Sequence, residues 1–228
     1  MISIICCTIR QHLMENVFKN YECQVWKEKE LIILLNQHDM DIAKWEKRAK
    51  LSSNVTVCQL KEEVTLGESL NFAIDKAKYP FIAKFDDDDY YAPNYLVRSM
   101  DALLKTSADV VGKRTVYMYF EEEKILALHK PAKENQFVKQ GIKGATLLFK
   151  KEICESVKFP SLNLGEDTTF LKECAKNNYK VFSADKNNYV CLRTSKSGHH
   201  TWNISNQILL RKSSIICKTE DYKPFIQD

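Results

Sequence analysis

Four consecutive aspartates, Asp86-Asp87-Asp88-Asp89, are the strongest chemical signal in this 228-residue chain. Two unit charges about 4 Å apart repel by roughly 4 kcal/mol at an effective dielectric near 20. A run of four therefore calls for a compensating cation. Hard carboxylate oxygens suit Mg²⁺ or Mn²⁺, which keep several waters and take phosphate oxygens as further ligands. The alternative is a solvated acidic turn that also caps the helix opening near Pro93. The apolar run Pro80–Phe85 leads directly into the acids and favours the metal reading, because ligands of an open parallel sheet gather at the carboxyl ends of its strands. Lys84 lies two residues before Asp86, on the same strand face, and is the predicted partner that makes the run tolerable.

Gly165-Glu166-Asp167 is the second signal. Both acids fall in the first turn of a predicted helix, where each gains about 0.3–1 kcal/mol from the helix dipole. A carboxylate fixed there beside a metal–phosphate site can also act as a general base. The third signal is Ser197-Gly198-His199-His200-Thr201-Trp202. Neutral imidazole suits Mn²⁺-like ions, and the indole can wall a sugar ring, although histidines are more often ordinary hydrogen-bonded residues. His12, His38 and His129 have no such context and receive no role.

Short, nearly continuous apolar runs at Ile2–Cys7, Glu30–Leu35, Val55–Leu60 and Pro80–Phe85 predict parallel strands covered on both faces. Leu66, Leu70, Ala73, Ile74 and Ala77 mark one helix face between the third and fourth. After Pro93, Leu96, Met100, Leu103 and Leu104 mark another. Strands spaced by such helices predict βαβ units and an α/β fold. Further on, Asp109–Phe120 and Lys124–His129 read as two strands around the acidic turn Glu121-Glu122-Glu123. Ala145–Phe149 reads as a strand, Glu166–Asn177 as a helix with Phe170 and Cys174 inward, and Tyr179–Ser183 as a strand. Lys130–Gly144 is polar and reads as a mobile loop.

Composition narrows the classes. Hydrophobic residues make up 44% and charged residues 28%, as in a globular chain, and a net charge of +4 is too small to predict a nucleic-acid partner. No apolar run approaches the roughly 18 residues of a membrane span. The amino terminus lacks a signal-peptide pattern, and eight irregularly spaced cysteines without a C-x-x-C pair predict reduced thiols in a cytoplasmic protein. No G-x-G-x-x-G, Walker loop or G-x-S-x-G is present, which disfavours dinucleotide, P-loop and α/β-hydrolase chemistry. No linker marks a boundary, so one domain spanning 1–228 is expected.

Taken in order, these segments resemble family 2 glycosyltransferases of the GT-A fold over roughly residues 1–205. Cys7-Thr8-Ile9-Arg10 resembles the turn after the family's first strand. Gln24 and Glu30-Leu31-Ile32-Ile33-Leu34 resemble the segment leading to its second, and Gly67-Glu68-Ser69-Leu70-Asn71 its glycine-led helix. Phe85–Asp89 with Pro93 and Leu96 resembles the D-x-D segment, and Gly165-Glu166-Asp167 the E-D motif. The resemblance implies a nucleotide-sugar-binding half at 1–106 with a mostly parallel sheet, a mixed acceptor half at 107–205, and a packing segment at 206–228. The last could face the core or a second subunit.

The resemblance further implies an inverting transfer from a nucleoside diphosphate sugar to a hydroxyl of a glycan, lipid-linked or protein acceptor, with Mn²⁺ or Mg²⁺ as cofactor. Asp88 would bind the metal, Asp86 and Asp87 the nucleoside and ribose, and Thr8, Arg10, Asn36, Asn71 and Lys84 the donor pocket. Asp167 would be the base, Glu166 and Trp202 acceptor contacts, and His200 a late metal ligand, with His199 its rival. Acceptor contacts would also come from the loop around Lys130–Ala145. Such small enzymes commonly build surface polysaccharides, capsules or spore-coat glycans. Two departures stand out: Asn36-Gln37 replaces the usual acidic pair, so uridine recognition does not follow, and Cys7 replaces a proline. The rivals are a sugar nucleotidyltransferase, whose glycine-rich amino-terminal loop is missing, a two-carboxylate hydrolase, and a non-catalytic nucleotide- or metal-binding subunit.

Overall fold

In the computed structural model, which describes residues 1–194 and 204–227, the amino-terminal half alternates strands and helices. In chain order they are β1 (Ile2–Thr8), α1 (Met14–Glu22), β2 (Lys29–Leu35), α2 (Ile42–Ala49), β3 (Val55–Gln59), α3 (Leu66–Lys76) and β4 (Phe81–Lys84). The chain continues through β5 (Tyr90–Tyr91), α4 (Tyr95–Thr106), β6 (Val110–Gly112), β7 (Val116–Phe120), β8 (Ile125–His129), β9 (Gln136–Phe137) and β10 (Leu148–Lys150). It closes with α5 (Glu166–Lys176), β11 (Val181–Ser183), β12 (Tyr189–Arg193), α6 (Asn206–Arg211) and β13 (Ser213–Lys218).

The described strands form two sheets, ordered β3-β2-β1-β4-β10-β6-β11-β9 and β13-β8-β7-β12-β5. In the first, β3, β2, β1 and β4 run parallel, β10 is antiparallel to β4 and β6, and β11 returns parallel to β6. The order reverses at β1, the place where an open α/β sheet leaves a crevice at its carboxyl edge. Thr8 and Asp86 both emerge there, on neighbouring strands.

Alternation explains the unbroken apolar runs. Ile2, Ile4 and Cys6 pack on the layer that holds Phe18, Trp45 and Met100, whereas Ile5 packs with Leu70, Ile74, Phe149 and Phe170 on the opposite face. Both faces are covered, so both sets must be apolar. On the second face Phe170 stacks on Phe159 with centroids 4.1 Å apart, which fixes the start of α5 relative to the sheet.

Four readings need correction. Asp109–Phe120 is two strands in different sheets, because Lys113-Arg114-Thr115 carries the chain from β6 to β7. Ala145–Phe149 is a 3-10 turn at Gly144–Thr146 followed by β10, since Thr146 bonds back to Lys143. Lys130–Gly144 is anchored, with β9 pairing to β11 and Ile142 buried. Leu104 faces solvent at 61% exposure, because the inward stripe of α4 runs through Tyr95, Leu96, Ser99, Met100 and Leu103. The carboxyl-terminal segment packs on its own chain through β13, antiparallel to β8. All eight cysteines are free thiols. No helix among the described residues is long and apolar enough to cross a membrane.

Candidate active site

The loop that follows β4 is held from three sides. Asn16 Nδ2 on α1 donates to the carbonyls of Asp87 (2.7 Å) and Asp89 (3.0 Å), and Asn20 Nδ2 donates to that of Asp89 at 2.8 Å. The Tyr91 hydroxyl accepts from the Asp86 amide at 2.8 Å and donates to the Ala145 carbonyl at 2.7 Å. Its ring stacks on Phe85 at 3.8 Å. These bonds hold the backbone in place while the carboxylates fan out.

Each carboxylate has a different neighbour. Asp87 is 1% exposed and engaged on both oxygens, by Arg10 and by the Thr8 hydroxyl. Arg10 reaches on to Asp88 at 2.9 Å. Lys84, 5% exposed, pairs with Asp86. Burial alone would pull the Lys84 ammonium down, but Asp86, with Glu166 and Asp167 further off, holds it above its ordinary value. Asp89 is buried and accepts from the Tyr189 hydroxyl and the Leu192 amide. Burial, reinforced by Asp88 and Asp86, pushes its carboxyl well above the usual range. Oxygens of Asp86, Asp88 and Asp89 lie within 4.8 Å of one another. An all-oxygen set of that size fits a hard divalent cation.

Replacing Lys84 by methionine leaves Asp86 beside the other acids with no cation. A hydrogen bond between charged groups is worth about 1.5–3 kcal/mol, and a loss of that size is expected in urea unfolding. Added Mn²⁺ is expected to restore part of it. An unchanged midpoint would show that Lys84 does not stabilise the acid cluster.

Across the cleft, Gly165 takes φ +83°, a left-handed conformation that favours glycine, and opens α5. Its approach is fixed by α3. Gly67 N donates to Leu162 O at 3.0 Å, Leu66 N to Asn163 Oδ1 at 2.8 Å, and Asn71 bonds both backbone groups of Phe159. Asn71 is thereby turned away from the cleft and anchors the segment that delivers Glu166 and Asp167. Glu166 is 6% exposed, and burial raises its carboxyl while Lys84 opposes the shift. Asp167 is half-buried, with Oδ1 accepting from the Thr168 amide at 2.6 Å.

Gly144 makes room for Asp167: a Cβ at Gly144 would collide with the Asp167 carboxylate. Gly144→Ala is expected to displace that side chain. The displacement should appear as shifted Asp167 side-chain resonances in NMR spectra, and resonances identical to the parent would contradict the contact.

One cavity of about 870 Å³ joins the two acid groups, and Thr8, Arg10, Asn36, Lys84, Glu166 and Asp167 line it together with the four aspartates. That size accommodates a nucleotide-sized ligand. Asn36 lines the cavity with its amide tied to the Lys61 carbonyl at 2.7 Å and the Ser69 hydroxyl at 3.4 Å. His199, His200 and Trp202 lie outside the described residues. Sequence reasoning missed Asn16, Asn20, Tyr189 and Asp89 as site-builders. The four-residue spacing of the two asparagines on one helix face was the available signal for that pair.

The Glycosyl transferase family 2 model matches residues 3–156. The chain belongs to that family. As a family 2 member it is 32% identical over 136 residues to the O-antigen biosynthesis glycosyltransferase WbnJ of Escherichia coli, covering 57% of this chain and 53% of that protein. The chain thus spans about half the length of this curated relative. Among solved structures it resembles residues 1–349 of TarS from S. aureus in complex with UDP-GlcNAc. The TM-score is 0.68 at 17% identity, over 90% of this chain and 61% of that one. It also resembles the mannosyltransferase PcManGT of Pyrobaculum calidifontis in complex with GDP-Man and Mn²⁺. There the TM-score is 0.64 at 18% identity, over 92% of this chain and 62% of the other. These likenesses place the family 2 chain in the GT-A fold.

Proposed function

We propose that this chain is an inverting glycosyltransferase. It moves a sugar from a nucleoside diphosphate sugar to an acceptor hydroxyl, in the cytoplasm, during synthesis of a surface polysaccharide. The observation that carries this reading is the single cleft in which the Asp86–Asp88–Asp89 cluster faces the Glu166–Asp167 pair. The O-antigen role of the E. coli relative and the nucleotide-sugar complexes of the structural neighbours support it.

Asp86 and Asp88 are the residues that would hold a divalent ion, with Asp89 closing the set. Asp86 gives Oδ1 to Lys84 and lines the cleft. When bound, Mn²⁺ or Mg²⁺ would neutralise charge on the departing diphosphate as a Lewis acid. Arg10 and Thr8 act through Asp87: they engage both of its oxygens and so brace the loop. Asp167 accepts the proton of the acceptor hydroxyl as that oxygen attacks the anomeric carbon from the face opposite the diphosphate. One displacement with a base and no protein nucleophile inverts the anomeric centre.

The first test is release of nucleoside diphosphate from a panel including UDP-GlcNAc and GDP-mannose, with Mn²⁺, with and without acceptor sugars. Release from at least one donor is expected. Nucleotide binding with no release from any donor would mark the chain as a binding module instead.

A further inference from the structure

The wall of the cleft beyond Asp167 is basic. Lys130 and Lys143 line it, with Gly141 and Gly144 between and beside them. Segment 130–144 carries four lysines and one carboxylate. That carboxylate, Glu134, is already engaged by Lys186, through the amide at 2.8 Å and the ammonium at 3.6 Å. Behind Gly141 stands Arg114, whose Nε would lie 3.0 Å from a Cβ placed on that glycine. This Nε is buried and lacks a hydrogen-bond partner. Lys130, Lys143 and Lys212 also converge on His129. Burial first, and then these three cations, hold its imidazole down at about 4, so the histidine stays neutral beside them.

The turn that presents Lys130 is strained and fixed. Lys130 and Ala132 adopt φ of 51° and 60°, on either side of Pro131. The fully buried Thr115 hydroxyl donates to the Lys130 carbonyl at 2.6 Å and accepts from the Lys133 amide at 3.1 Å. Ser183, also fully buried, donates to the Lys133 carbonyl at 2.6 Å. Such backbone persists where its surroundings over-determine it, often at ligand clamps.

We propose that this wall is a subsite for a phosphate group carried by the acceptor, recognised by Lys130 and Lys143 with the Arg114 guanidinium behind Gly141 as the third cation. The inference rests on the transferase reading, which makes the Asp167 side of the cleft the acceptor's. The donor's end is supplied by Arg10 and Lys84, and both are paired with the aspartates. A phosphate ester offers three acceptor oxygens, enough for two ammonium groups and a guanidinium, whereas a carboxylate offers two. Lys130 is exposed, so its share of the attraction is screened by salt.

The probes are glucose 6-phosphate and glucose, titrated by NMR onto the full chain with Mg²⁺ and a saturating nucleoside diphosphate. The sugar phosphate is expected to bind about ten-fold tighter or more, the effect of one charge-assisted hydrogen bond. The preference should shrink as salt is raised and be lost in Lys130→Gln and in Lys130→Gln/Arg114→Gln. Lys130→Gln changes an exposed side chain, so its fold should match the parent by circular dichroism. Equal binding of the two sugars, binding of neither, or a preference that survives the double substitution overturns the proposal. So does co-sedimentation with phosphatidylglycerol vesicles without a preference for the sugar phosphate, which would make the patch a membrane contact. Binding of nucleoside diphosphate with Mn²⁺, followed separately, distinguishes the two failures. Its loss removes the transferase reading, and its retention beside an absent preference removes the subsite alone.

Discussion

Asp167→Asn is expected to lower turnover by about 10²–10⁴, the usual worth of a positioned general base, while leaving donor affinity almost untouched. Asparagine keeps the shape and the capacity to accept from the Thr168 amide, which bonds Asp167 at 2.6 Å. It cannot take a proton. The loss should therefore appear in kcat, with donor KM near the parent value, because the interaction removed acts only in the transition state. A variant retaining more than about a tenth of parent turnover would contradict the assignment. Glu166→Gln is the informative companion, since Glu166 is the buried member of the pair and faces Lys84. Inactivity there beside an active Asp167→Asn would move the base to Glu166.

Asp88→Ala is expected to act on binding instead. Even outer-shell changes at metal sites cost about 10–100-fold in metal affinity, so removing a carboxylate from the cluster should cost at least that. Nucleoside diphosphate affinity measured by calorimetry with Mn²⁺ should fall correspondingly, while affinity in its absence changes little. The alanine also frees Arg10 from one of its two acids, but Asp87 keeps hold of the guanidinium, so the loop should remain folded. Equal affinity with and without Mn²⁺ in the parent would contradict a metal-bridged donor.

The parallel half of the fold was legible because β1, β2 and β4 are nearly continuous apolar runs covered on both faces, whereas β3, expected to be covered likewise, is an edge strand with Thr56 and Gln59 exposed. The capping box of Thr65 and Glu68, a signal that sequence reasoning missed, fixes the start of α3. The second sheet was harder to read. β5 and β9 are two residues each, too short for any period, and β6 and β7 join into one apolar stretch broken only by Lys113-Arg114-Thr115. That polar triplet was the available sign of a sheet change.

At the site, the acidic run and the Glu-Asp pair could be read from residue type and position, and so could the Lys84–Asp86 pairing. What each aspartate does could not. Adjacent residues diverge by burial, so that Asp87 became a brace for Arg10 and Thr8, and Asp89 a buried partner of Tyr189. Asn71 sits on a helix face whose neighbour is a loop 88 residues away, a contact no local pattern encodes.

The most direct test uses the magnetism of Mn²⁺. Electron–nuclear double resonance on the chain with Mn²⁺ and a nucleoside diphosphate should show ³¹P coupling to the ion. Measured on the Mn²⁺ that stays with the protein after the free metal and nucleotide are removed by filtration, that coupling should vanish in Asp88→Ala and persist in Asp167→Asn. Mn²⁺ bound without ³¹P coupling, or coupling indifferent to Asp88, would contradict the claim that the acid cluster holds the donor's diphosphate through a metal.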